Sequence, residues 1–106
     1  MTATETPVLN TLADLTALSM ERCALAPREL MLARIAALIA VDAPPVSYMA
    51  NAGAAADSGI TVDDIQAVMI GISPVVGTPK VVAAAGNIFR ALGFAIIAAE
   101  AADAAQ

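Results

Sequence analysis

The sequence predicts an all-α domain, and three observations carry that reading. Alanine is the commonest residue, the aromatics are Tyr48, Phe89 and Phe94, and no segment alternates β-branched with polar residues. That composition favours helices with closely packed backbones over pleated strands. Apolar residues instead recur at three- and four-residue spacing, and prolines and glycines fall between those runs as stop and start signals.

Thr6-Pro7 places a capping side chain before a first-turn proline. Val8, Leu12 and Leu15 then recur on one face, which predicts a first helix over 7–19. Residues 19–26 read as a connection containing Cys23. Pro27 opens a second helix with Glu29 in its first turn, where the helix dipole favours an anion. Its apolar residues (Leu30, Met31, Leu32, Ile35, Leu38 and Ile39) cover nearly the whole circumference, which predicts burial on all sides.

Asp42-Ala43-Pro44-Pro45 ends that helix and starts a third over 44–57, with a stop near Gly59. Ala50, Gly53, Ala54 and Asp57 line one edge of it, an edge suited to close packing. Thr61-Val62-Asp63-Asp64 resembles a capping box, so a fourth helix is expected from Val62 to Ile72, kinked or restarted at Ser73-Pro74. Gly77-Thr78-Pro79 separates it from a fifth helix over 79–92, with Val82, Ile88, Phe89 and Leu92 inward. Gly93 is expected to break that helix, leaving an Ala-rich tail over 93–106 as a possible sixth. The chain as a whole, 1–106, reads as a single domain.

Hydrophobic residues make up 59% of the chain and charged residues 14%, which excludes a disordered polymer. Five Lys and Arg stand against ten Asp and Glu, for a formal charge of −5. So few cations leave no footprint for nucleic-acid phosphates or an anionic membrane surface. No histidine is present, which removes the commonest general base and metal ligand. Neither Leu30–Val41 nor Ile65–Gly77 reaches the ~20 apolar residues of a spanning helix. The start of the chain lacks the basic residues of a signal peptide, and Cys23 has no disulfide partner, so the cytoplasm is the expected compartment. A chain this apolar with so few charges is expected to bury surface between subunits, as a homo-oligomer.

Arg28-Glu29-Leu30 opens the second helix. The third ends in Asp57-Ser58-Gly59-Ile60-Thr61-Val62-Asp63-Asp64-Ile65, and Gly77-Thr78-Pro79 leads into Lys80-Val81-Val82. From Arg28 to Leu92 this order resembles the carboxymuconolactone decarboxylase family, whose superfamily also holds the alkylhydroperoxidase D-like proteins. Residues 41–48 also look like a bacterial branch of it. The resemblance implies a five- to six-helix orthogonal bundle assembled as a trimer or hexamer. The family's histidine, counted eight residues back from Gly59, falls at Asn51. The redox members' nucleophilic and resolving cysteines fall at Ser47 and Pro44. The family's helix-two glutamate falls at Leu32, one turn from Glu29. With both thiols and the histidine replaced, thiol peroxidase chemistry is disfavoured.

Five residues remain as catalytic candidates: Glu29, Arg34, Ser47, Tyr48 and Asn51. Tyr48 and Asn51 can donate hydrogen bonds to a carbonyl or developing oxyanion. Arg34 reads either as a clamp for a carboxylate or as a buried ion pair with an acid such as Glu29, Asp42 or Asp57, in the same or a neighbouring subunit. Glu29 is the one nearby group able to move a proton, or simply an acid at a helix start. Ser47 lacks a base beside it, Cys23 reads as a small filler residue, and Asp63 and Asp64 read as caps. No cofactor or metal site is expected. Two functions follow. One is a cofactor-free lyase or isomerase-like enzyme acting on a small carboxylate or lactone. The other is a non-catalytic helical oligomer that binds a small apolar molecule or a partner.

Overall fold

The computed structural model describes the backbone of residues 6–104 and the side chains of residues 6–92. Five helices follow in order: α1 (Pro7–Arg22), α2 (Pro27–Ala40), α3 (Pro45–Asp57), α4 (Val62–Val76) and α5 (Thr78–Ala104). No strand occurs among the described residues.

Three boundaries differ from expectation, each for a local reason. α1 continues past Ser19 to Arg22, because Met20, Glu21 and Arg22 are good helix formers and Arg22 suits the negative helix end. The connection shrinks to residues 23–26. α4 runs through Pro74 to Val76. Pro74 has no N–H to give the Ile70 carbonyl. The Ser73 hydroxyl donates to that carbonyl instead, at 2.9 Å. α5 is one helix of 27 residues, so Gly93 does not break it and there is no separate sixth helix. A single glycine costs about 1 kcal/mol in a helix, which alanine-rich flanks offset. The Thr6 cap also differs: its hydroxyl donates to Asn10 Oδ1 at 3.2 Å and caps no backbone N–H.

Two turns share one geometry. α2 ends with Ala43 N–H donating to the Leu38 carbonyl at 3.0 Å and Asp42 N–H to Ile39 at 3.1 Å. α3 ends with Ile60 N–H donating to Ala55 at 3.0 Å and Gly59 N–H to Ala56 at 3.0 Å. Both are Schellman motifs, which need a left-handed residue after the helix. Gly59 takes that conformation freely at φ 77°, whereas Asp42 holds it at φ 56° with a side chain.

The helix start at α4 is the capping box expected, with Asp64 in the acidic position. Thr61 Oγ1 accepts from Asp64 N–H, and the Asp64 carboxylate accepts from Thr61 N–H at 2.8 Å. Arg28 then clasps the same carboxylate with both Nη atoms, at 2.7 and 2.9 Å, and donates to the Gly59 carbonyl. This contact ties the start of α2 to the turn between α3 and α4. The guanidinium and the Thr61 donors hold the Asp64 carboxyl well below the usual carboxylate range. At the other end of α2, Lys80 Nζ donates to the Ala40 carbonyl at 3.1 Å, placing a cation on the negative helix terminus.

The core lies among α2, α3, α4 and α5. Met31, Ile35 and Ile39 of α2 form a buried stripe at four-residue spacing, and Ile35 and Ile39 are joined in one cluster by Ala43, Tyr48, Ala84, Ile88 and Ala91. Ile65, Val68, Met69 and Ile72 of α4 pack against it. α2 is therefore buried along one stripe rather than all round, since Ala33 and Ala37 are exposed. On α5, Ile88 is inward as expected, but Val82, Phe89 and Leu92 are exposed, and small Ala84 and Ala91 take the inner positions. α3 turns Tyr48, Ala52 and Ala55 inward. The small-residue edge expected to pack closely faces outward, and a Cβ at Gly53 meets nothing within 4 Å. α1 buries no residue at all. No single helix is long and apolar enough to cross a membrane among the described residues.

Candidate functional site

A hollow of about 160 Å³ opens between α2, α3, α4 and α5. Alanines make it. Ala52, Ala55 and Ala56 present only methyl groups on the inner face of α3, opposite Ile35 and Leu38 of α2, Ile65 of α4 and Ile88 of α5. Its polar lining is limited to the side chains of Tyr48, Asn51 and Thr61.

Tyr48 and Asn51, one helical turn apart, both line the hollow. The Tyr48 hydroxyl is buried and has no hydrogen-bond partner among the described residues. Burial pushes its ionisation upward, and the nearby Asp42 carboxylate pushes the same way. Tyr48 is the one titratable lining residue, and it stays a neutral phenol at ordinary pH. Asn51 Nδ2 donates to the Ser47 carbonyl at 2.9 Å, so Ser47 takes part through its backbone.

Arg34 lies behind Asn51 rather than on the hollow's lining. Its Nη1 donates to Asn51 Oδ1 at 3.5 Å, a long contact, while Nη2 donates to the Thr16 carbonyl at 3.4 Å and to Ser19 Oγ. Among the described residues no carboxylate stands within ion-pair distance of it; Arg28–Asp64 is the ion pair found there. The expected pairing of Arg34 with Glu29, Asp42 or Asp57 is thus absent within the chain, and its guanidinium tethers α1 to α2. Glu29 sits exposed in the first turn of α2, away from the lining. Cys23 is a free, partly exposed thiol at the end of α1 and also lies outside it.

Three of the five sequence candidates are therefore linked: Arg34 touches Asn51, and Asn51 shares the hollow with Tyr48. The alanines that shape it carried no chemical signal in the sequence, only the small-residue pattern of the third helix. Chemically the hollow is an apolar container with an amide and two hydroxyls at its wall. No family model, curated protein or solved structure matches this chain.

Proposed function

We propose that this chain is a binding protein for a small, neutral, largely apolar molecule about the size of one aromatic ring, and that it works as a homo-oligomer in the cytoplasm. The observation that supports the first part is the lining: mostly apolar, with an amide, two hydroxyls and one titratable group, a phenol that stays neutral. A cavity of about 150 Å³ in another protein takes up benzene. A ligand bearing one hydrogen-bonding group gains a partner in the Asn51 amide or the Thr61 hydroxyl.

A specific observation favours a second reading, the lyase or isomerase-like enzyme of the carboxymuconolactone decarboxylase type. Arg34 lacks a carboxylate partner among the described residues and touches a lining residue. A small carboxylate seated at Asn51 would meet that guanidinium, with Tyr48 and Asn51 polarising its carbonyl, whereas Glu29 lies outside the lining and leaves this reading without a proton-transfer group on the hollow.

Thermal unfolding with toluene, para-cresol and benzoate separates the two. Binding to the folded state alone raises the melting temperature with ligand concentration. Toluene and para-cresol are expected to raise it saturably, and Ala55→Leu, which fills the hollow, is expected to abolish the rise. Stabilisation by benzoate alone, lost in Arg34→Met, would replace this reading with the second.

A further inference from the structure

We propose that the ligand of the hollow is a neutral carbonyl compound, a one-ring ketone or aldehyde, whose oxygen accepts hydrogen bonds from Asn51 and Tyr48. The inference rests on the binding reading above and names the ligand chemistry within it. The three polar side chains on the lining, Tyr48, Asn51 and Thr61, each have a fixed set of donors and acceptors, and the structure shows which of these are already committed.

Thr61 has no donor left to offer. Its hydroxyl donates to Asp64 Oδ2 at 3.0 Å, and its oxygen accepts from the Asp64 N–H at 3.1 Å. Asn51 is half committed. Nδ2 carries two hydrogens, one of which goes to the Ser47 carbonyl at 2.9 Å, and the other has no acceptor among the described residues. Asn51 Oδ1 accepts from Arg34 Nη1 at 3.5 Å. A cation beside one end of the amide and a carbonyl beside the other fix which way it is turned. Tyr48, three residues earlier on α3, has committed nothing. It is 8% exposed and lines the hollow, and its hydroxyl has no partner among the described residues. Burial and the Asp42 carboxylate raise its ionisation, so the hydrogen stays on the oxygen. Half-buried Asn51 is the donor an entering oxygen meets first, and buried Tyr48 is the deeper one.

Unmet donors and unmet acceptors do not weigh alike. An oxygen with one partner is already served, whereas a buried hydrogen without an acceptor carries its full desolvation cost. The wall therefore lacks an acceptor. A carbonyl oxygen has two lone pairs and can accept from both donors. A hydrocarbon meets neither, and a phenol brings one more hydrogen. A carboxylate also accepts, but no cation lines the hollow, because Arg34 stands behind Asn51 against Thr16 and Ser19. Burying an ionised group without a paired charge costs far more than burying a neutral carbonyl. The aliphatic side chains of Ile35, Leu38, Ile65 and Ile88 are left to pack on the ring.

Two ligands of one shape test the proposal: acetophenone, and isopropenylbenzene, which has a methylene in place of the oxygen. Their affinities follow from the rise of melting temperature with ligand concentration. Asn51→Leu and Tyr48→Phe are each expected to lower the ratio of acetophenone to isopropenylbenzene affinity about five- to tenfold, the effect of one hydrogen bond. Retained binding of isopropenylbenzene shows that the hollow still forms. Tyr48→Phe is also expected to raise the melting temperature of the empty protein, so stability and ketone binding move in opposite directions. In the wild type, the infrared carbonyl stretch of bound acetophenone is expected to fall below its frequency in hydrocarbon solvent. An unshifted stretch, a ratio unchanged in both variants, or tighter binding of benzoate than of acetophenone overturns the carbonyl assignment while the hollow remains a binding site. A ratio that falls in one variant alone overturns the two-donor arrangement. Absence of binding by acetophenone, isopropenylbenzene and toluene alike overturns the binding reading itself.

Discussion

Helices α1 and α2 stand side by side in sequence, both started by proline and both rich in leucine, yet only one of them enters the core. α2 supplies Met31, Ile35 and Ile39, while α1 buries nothing. The pattern alone points the other way, because α1 has the cleaner one-sided distribution of apolar residues and α2 is apolar nearly all round. The difference teaches that amphipathicity reports a face in need of cover and does not say which surface supplies it. α2 is fixed by its ends as much as by its stripe: Arg28 reaches the α3–α4 turn, and Lys80 reaches its last carbonyl. α1 is tied to α2 near its end by Arg34, which donates to the Thr16 carbonyl and Ser19 Oγ.

The contrast breaks most visibly in the two stripes themselves. Ile39→Ala removes a fully buried side chain and is expected to destabilise by about 2–5 kcal/mol in urea denaturation, at every protein concentration. Leu12→Ala is expected to act only through association, flattening the rise of melting temperature with protein concentration. An equal, concentration-independent loss in both variants would erase the distinction.

Tyr48 sharpens the α2 side, because its ring completes the core while its hydroxyl goes unpaired among the described residues. Tyr48→Phe is expected to stabilise by about 1 kcal/mol, the reverse of the usual loss, since it removes an unmet desolvation cost. The same group sets an alkaline limit. Its ionisation is raised above the usual 10.0 in the folded state, so its contribution is complete below pH 10 and is lost as pH climbs towards the raised value. The Phe variant should lack that alkaline decline in melting temperature.

A smaller effect is expected where α2 ends. Asp42→Gly relieves a left-handed non-glycine residue and should stabilise by about 0.5–1 kcal/mol, while Gly59→Ala, at the matching turn, should destabilise by a similar amount. The smallest effect belongs to the clasp at the start of α2, where Arg28 is half exposed and salt screens the pair. Asp64 has its ionisation depressed from 3.8, so its contribution is present above about pH 4 and is lost as pH falls below that. The melting temperature should fall in that acid range, and Asp64→Asn should remove part of the fall.

The helices were legible because their signals are local. Pro27, Pro45, the Thr61–Asp64 box and Gly59 each act within a few residues, and each sits where the sequence placed it. Pro74 and Gly93 misled, because a hydroxyl one residue away and a run of alanines neutralise them. The inner face of α5 misled for a different reason. Large apolar residues were expected inside, but α3 and α5 meet through alanines, and size alone does not say which side of a helix has a neighbour. At the site, the grouping of Arg34, Tyr48 and Asn51 could be read from helical spacing and charge isolation. The hollow could not, because it arises where three alanines on one helix fall short of the helices facing them.

Asp64 carries a consequence for the order in which the chain folds. Its carboxylate is first a local group, three residues from Thr61, able to form its box as soon as one turn of α4 appears. It is then a long-range group, bound to Arg28 across 36 residues. The turn orients the oxygens before Arg28 arrives, so closing that long loop requires little further ordering of the acceptor. Helix nucleation and bundle docking are thereby coupled through one side chain. Thr61→Ala, which touches only the local half, should slow folding as well as weaken the helix.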